Sequence, residues 1–169
     1  MPFVTDTMTD TAGTTLASHT GETGATWTLH TGLTVGGSTV VISDVNRARV
    51  ASASIESNYY ASGTPATAEY DVSADLVVKS LAGYAGLNGR MAVNPTATTY
   101  LFYYNMTGGN WNLEKVVAGT YTSLGTFAQT LTDEQSYAMK LQIRDAAKKG
   151  FVDTVERITS GDNAITAAG

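Results

Sequence analysis

The stretch from Tyr100 to Leu131, YLFYYNMTGGNWNLEKVVAGTYTSLGTFAQTL, constrains the fold more than any other part of the chain. Three runs rich in aromatic and β-branched residues are separated by Gly108-Gly109-Asn110 and by Ala118-Gly119. Glycine and asparagine tolerate the positive φ that tight turns demand, and the flanking residues suit a pleated, half-buried surface. The spacing therefore predicts an antiparallel meander. Alternation places Tyr100, Phe102, Tyr104 and Met106 on one side of it and Leu101, Tyr103 and Asn105 on the other.

Most of the remaining chain follows the same rule, and helical periodicity is nearly absent. The best helical candidate, 133–144, has Tyr137, Met139, Leu141 and Ile143 alternating with Ala138, Lys140, Gln142 and Arg144, a period of two and hence a strand. Residues 132–135 read as one helical turn leading into it. Further strands are expected over 2–8, 25–30, 38–43, 47–53, 55–60, 66–79, 87–93, 150–153 and 155–159, with a long loop at 9–24. In the segment 66–79, Tyr70, Val72, Ala74, Leu76 and Val78 share one face, while Glu69, Asp71, Ser73 and Asp75 share the other. About a dozen short strands joined by Gly, Ser and Asn turns predict an all-β sandwich or barrel. A length of 169 residues predicts one domain spanning 1–169.

Composition narrows the functions available. Charged residues make up only 15% of the chain and the formal net charge is −5, with no grouping of cations beyond Lys148-Lys149. Phosphate neutralisation needs clustered Lys and Arg, so a nucleic-acid partner is not expected. Cysteine is absent, which removes disulfides, thiolate catalysis and Cys-ligated zinc. The opening MPFVTDTMTDTAG has neither the basic nor the apolar part of a secretory signal, and no apolar run is long enough to span a membrane as a helix. The expectation is a protein that acts inside the cell, leaves by a signal-free route such as lysis, or has lost a leader; no membrane partner is expected.

Four segments resemble the concanavalin A-like jelly rolls, especially the laminin-G-like modules of bacterial surface proteins and phage virion proteins. The opening TDTMTDTAGTTLASHTGETGATW is similar to a D-x-F-x-(D/G)-x-x-G-T-x-L-x-x-H-x-x-x-x-G-x-x-W pattern, with Met8 in place of Phe. NRARVAS, the strand from Glu69 to Val78, and NWNLEKVVAGTYTSLGT resemble the family's second, long and hairpin segments. The resemblance implies a two-sheet antiparallel jelly-roll sandwich. It also implies a further strand after VERITSGDNAITAAG, lying beside the first. That last strand is lacking within these residues, so a longer polypeptide, a second chain or an assembly contact would supply it.

Several constellations could carry chemistry. Glu69, Asp71 and Asp75 on alternate positions of one strand are the pattern of a retaining glycosidase, whose two carboxylates stand about 5–5.5 Å apart. The spacing misfits the family's E-x-D-x-x-E, and a solvated sheet face explains it better. Asp44 with Asn46, and Asp162 with Asn163, are the candidate calcium ligands, although both pairs are also ordinary turn residues; no other cofactor and no metal site is expected. Trp111, Tyr103, Tyr104, Tyr59 and Tyr60 could stack on sugar rings, and Tyr103, Asn105 and Trp111 are the candidate carbohydrate-binding set. Trp111 also shares a face with Leu113, which argues for burial. His19 and His30 have no triad partner in the sequence, and 83–89 (GYAGLNG) precedes an expected strand and not a helix, so it is no phosphate loop.

The resulting expectation is a non-enzymatic virion structural protein, such as a capsid decoration or a tail- or fibre-associated protein. Its partners would be other virion proteins or further copies of itself. The alternatives are a carbohydrate-binding or adhesin module at a cell surface, recognising glycans, and a glycoside hydrolase.

Overall fold

The computed structural model describes residues 2–33, 39–51, 57–78, 83–92 and 95–167. Parts of the expected strands at 38–43, 47–53, 55–60, 66–79 and 87–93 lie outside those residues. The chain divides into two compact units, 1–66 with 93–96 and 67–92 with 97–169.

Among the described residues the first unit holds four short strands: β1 (Trp27–Leu29), β2 (Val40–Ile42), β3 (Ala48–Val50) and β4 (Tyr59–Ala61). β1 pairs antiparallel with β4, and β2 with β3. Leu16, Val40 and Ile42 form a small core against Met8, Trp27 and Tyr59. The expected opening strand at 2–8 does not form. Its amides are taken by side chains instead: Met8 N–H donates to Asp6 at 2.7 Å and Thr7 N–H to Glu22 at 2.9 Å. Local carboxylate acceptors of this kind compete with a β-ladder. The 9–24 loop contains a single 3-10 turn at Leu16–Ser18.

The second unit is, among the described residues, a sandwich of two four-stranded antiparallel sheets. One sheet has the order β12-β11-β10-β5, from β5 (Tyr70–Val77), β10 (Ser136–Ile143), β11 (Lys148–Val152) and β12 (Val155–Ser160). The other is a meander in chain order of β6 (Tyr84–Gly89), β7 (Thr99–Asn105), β8 (Asn110–Val117) and β9 (Thr120–Ala128). Tyr100, Phe102, Tyr104, Trp111 and Leu113 from the meander interleave with Leu76, Met139, Leu141, Ile143 and Ile158 from the other sheet. The all-β class is as the alternation predicts, and the two-sheet sandwich is as the resemblance to the jelly rolls implies. The β8–β9 hairpin turns through Ala118 and Gly119 at φ +48° and +80°, two consecutive left-handed residues as a two-residue hairpin requires.

Two local expectations are corrected. The segment 83–89 is not a loop before a strand; it supplies β6 itself. Its glycines are there because neighbours come close: a Cβ at Gly86 would overlap the Phe102 carbonyl and stand 2.6 Å from the Tyr103 Cα, and one at Gly89 would run into Ile143. Residues 132–135 are a tight turn, with Gln135 N–H bonded to the Thr132 carbonyl, and not a helical turn, because Glu134 sits at φ +60°.

The end of the sandwich is closed by 162–165. Ile165 is buried, and its N–H donates to the Tyr100 hydroxyl, which in turn donates to Asp162 at 2.8 Å. The fully buried Arg90 side chain bonds the carbonyls of Ala68 and Ile165 and the Asp145 carboxylate. Burial pushes the Tyr100 hydroxyl up to about 12 and, with Arg90 nearby, holds the Lys148 ammonium below its usual value.

Candidate functional site

The outer face of the meander is built by strand alternation. With Tyr100, Phe102 and Tyr104 turned inward, Tyr103 and Asn105 must turn outward. Across β6 the same rule exposes Tyr84 and Gly86, because register pairs Tyr84 with Asn105 and Gly86 with Tyr103. On the other side Asn110 stands opposite Asn105 and Asn112 opposite Tyr103. Tyr84 is 69% exposed. Its ring meets that of Tyr103 edge-on, centroids 5.6 Å apart at 79°.

The amides around this corner are held in place. The Asn105 side-chain Oδ1 accepts the Gly108 N–H at 2.8 Å, and the Asn110 side chain donates to the Asn112 Oδ1 at 2.8 Å while the Asn112 side chain donates back to the Asn110 backbone carbonyl. Two tyrosine rings at right angles offer one face and one edge to a flat apolar surface. Fixed side-chain amides beside them offer donors and acceptors. A pyranose ring has this combination of a C–H face and a hydroxyl rim.

Of the three residues expected to bind carbohydrate, the structure brings Tyr103 and Asn105 to this face and removes Trp111. Trp111 is fully buried, stacked on Phe102 (5.4 Å, 18°), packed against Tyr104 (5.1 Å), with its indole N–H donated to Gln129 at 2.9 Å. It pairs with Tyr104 and not with Tyr103, so its side chain points to the core and no ring face is left for a ligand. Tyr104 is likewise buried and donates to the Gln129 carbonyl. The residue missed was Tyr84. Its signal was the alternation Tyr84, Gly86, Asn88 against Ala85, Leu87, Gly89, hidden by the glycines.

The other candidates are placed as follows. Asp71, Ser73 and Asp75 project from the outer face of the β5 sheet, exposed as a solvated face would be. Asp71 is paired with Arg144 at 2.8 Å and Lys140 at 3.9 Å, and Glu69 accepts the Asp145 N–H, so two of the three carboxylates are engaged locally. Asn46 occupies the left-handed position of the β2–β3 turn. The Asp162 carboxylate is neutralised by Lys115, and Asn163 accepts from Lys148. Among the described residues no group of three or more His, Asp or Glu is arranged to hold a metal ion.

Both histidines are structural. His30 is buried, and its Nδ1 accepts the Leu33 N–H. His19 lies between two carboxylates, Nε2 2.9 Å from Asp6 and Nδ1 3.0 Å from Asp10, while the Trp27 indole N–H donates to Asp6 at 2.6 Å. The opening motif residues Asp6, Asp10, His19 and Trp27 thus form one network. The bond to Asp10, with that to Asp6, raises the His19 pKa against the opposing effect of burial. Desolvation works to raise the Asp6 pKa, but bonds from His19 and Trp27 prevail and hold it low.

No family model matches the chain, and no curated protein matches it. Among solved structures the chain is similar to carbohydrate binding module CBM66 from Bacillus subtilis, at 14% identity and a TM-score of 0.57, over 83% of this chain and 81% of that one. At that identity the likeness is one of fold: an antiparallel β-sandwich shared along most of both chains.

Proposed function

We propose that this chain is a non-catalytic glycan-binding module and that the Tyr84–Tyr103 corner with Asn105 and Asn110 is its binding face. The observation that carries the reading is the pair of perpendicular tyrosine rings held outward on a rigid sheet beside immobilised amides. Aromatic rings with a few fixed polar groups are how small polar ligands gain orientation and affinity. The similarity in fold to a carbohydrate binding module supports the same reading. The test is glycan-array and calorimetric binding of the whole chain against Tyr84→Ala and Tyr103→Ala. Binding should weaken tenfold or more in both while the melting temperature changes little; binding unchanged in both variants would refute the assignment.

A virion or cell-surface location is where such a module would meet glycans. The virion reading rests on the weakly charged composition rich in Thr, Ala and Gly. Mass spectrometry of purified particles tests it directly.

A further inference from the structure

The opposite side of the sandwich carries a concavity. It is a trough of about 390 Å³ on the outer face of the β5–β10–β11 sheet, lined by Ser73, Asp75, Ala138, Lys140, Phe151 and Thr154. That volume lies within the range of about 300–1,000 Å³ typical of small-molecule clefts. Register explains the shape. Ala138, on the central strand, stands opposite Asp75, so a methyl group forms the floor beside the long side chains of Lys140 and Phe151. Lys140 stands opposite Ser73 on one side and Phe151 on the other, its ammonium 4.2 Å from the Phe151 ring centroid.

Two features set the trough apart from the rest of this face. On this face Asp71 pairs with Arg144 and Glu156 with Lys149 at 2.7 Å, and Glu69 and Asp153 accept the backbone N–H groups of Asp145 and Ala138, whereas among the described residues no cation lies within ion-pair distance of Asp75. The β11–β12 turn runs through Asp153 and Thr154 at φ +49° and +68°. Glycine or asparagine is the unstrained choice at such positions, and a β-branched residue there is an outlier. The chain nevertheless keeps Thr154, and Thr154 lines the trough. Strain of this kind persists where the surrounding structure imposes it, and it gathers at binding sites.

We infer that this trough is a second saccharide site, selective for neutral sugars with adjacent hydroxyls. It rests on the glycan-binding reading only for the class of ligand. Asp75 and Lys140 are diagonal neighbours across the ladder, a relation that sets residues about 7–8 Å apart and leaves room for a vicinal diol between their side chains. One hydroxyl of the diol donates to the Asp75 carboxylate and its neighbour accepts from the Lys140 ammonium, and Ser73 and Thr154 supply further hydroxyls. The ring's C–H face lies over Ala138 and the edge of Phe151. The Asp75 carboxylate, with no cation beside it among the described residues, repels a sugar acid.

The test is an amide chemical-shift titration of the isotopically labelled full chain with glucose, galactose, mannose and glucuronate. At least one neutral sugar should shift the amides of residues 73, 75, 138, 140, 151 and 154, with glucuronate much weaker. Asp75→Ala should weaken that binding about tenfold or more, as loss of a charge-assisted bond does. Thr154→Gly should raise the melting temperature while weakening the sugar, an opposition that a purely structural turn residue would not show. The inference is overturned if no sugar shifts these amides, if glucuronate binds as well as the neutral sugars, or if Asp75→Ala binds undiminished. Shifts confined to Tyr84 and Tyr103 would sink this site and leave the first standing; shifts confined to the trough would do the reverse.

Discussion

Replacing Trp111 by Ala separates a core residue from a binding residue, because the two roles predict opposite pairs of measurements. The side chain is fully buried, stacked on Phe102 and Tyr104, and its N–H is satisfied by Gln129. Truncating a buried tryptophan removes its transfer free energy and leaves a cavity, about 3–5 kcal/mol together. The orphaned Gln129 side chain places the loss in the upper half of that range. Set against a typical total of about 5–15 kcal/mol, the change is large, and a melting temperature lower by on the order of 10 °C or more should follow. By contrast, Tyr103→Ala removes a half-buried ring on the outer face, whose edge-to-face contact with Tyr84 is worth about 0.5–1.5 kcal/mol. The assay is thermal and guanidinium unfolding of both variants beside glycan affinity measured well below either melting point. Trp111→Ala should melt early yet bind glycan normally while folded; Tyr103→Ala should melt nearly normally and bind poorly. A Trp111→Ala variant of unchanged stability that had lost binding would refute the core assignment and return Trp111 to the site.

Three further outcomes follow from particular contacts. Gly86→Ala puts a methyl group into the Phe102 carbonyl and the Tyr103 backbone, so it should cost about 1–3 kcal/mol and weaken glycan binding as Tyr103 is displaced; an unchanged melting curve would count against the packing described. His19 has a raised pKa when folded, so its contribution to stability is complete below its unfolded value of about 6.5 and is lost as pH rises through the folded value. Unfolding followed from about pH 5 to about pH 9 should therefore show an alkaline decline that His19→Gln flattens, and persistence of the same decline in the variant would exclude His19 as its source. Tyr100→Phe removes the link between Asp162 and the Ile165 N–H, a loss of about 2 kcal/mol, which should appear as faster proteolysis beyond residue 160.

The architecture was readable wherever alternation alone decides it. β5, β7, β8, β9 and β10 lie where a period of two and flanking turn residues put them, since that period assigns faces without reference to any partner. The reading failed where a partner was needed. Residues 2–8 have strand-like composition but find carboxylate acceptors in Asp6 and Glu22, and 83–89 looks like a loop because the reason for its glycines lies on other strands, at Tyr103 and Ile143. The opening motif could be matched residue by residue. That it is a network centred on His19 required Asp6 and Asp10 to be brought to either side of one imidazole.

The same division holds for the site. By itself the chain determined which residues share a face: Tyr103 with Asn105, Trp111 with Leu113, Asp71 with Ser73 and Asp75. Only the tertiary structure decided which face of each strand is covered and what stands across from it, because burial and register depend on sheet-to-sheet packing that no local pattern encodes. Packing turned Trp111 into core, placed Tyr84 against Tyr103, and left Asp75, among the described residues, without a cation beside a floor made by Ala138.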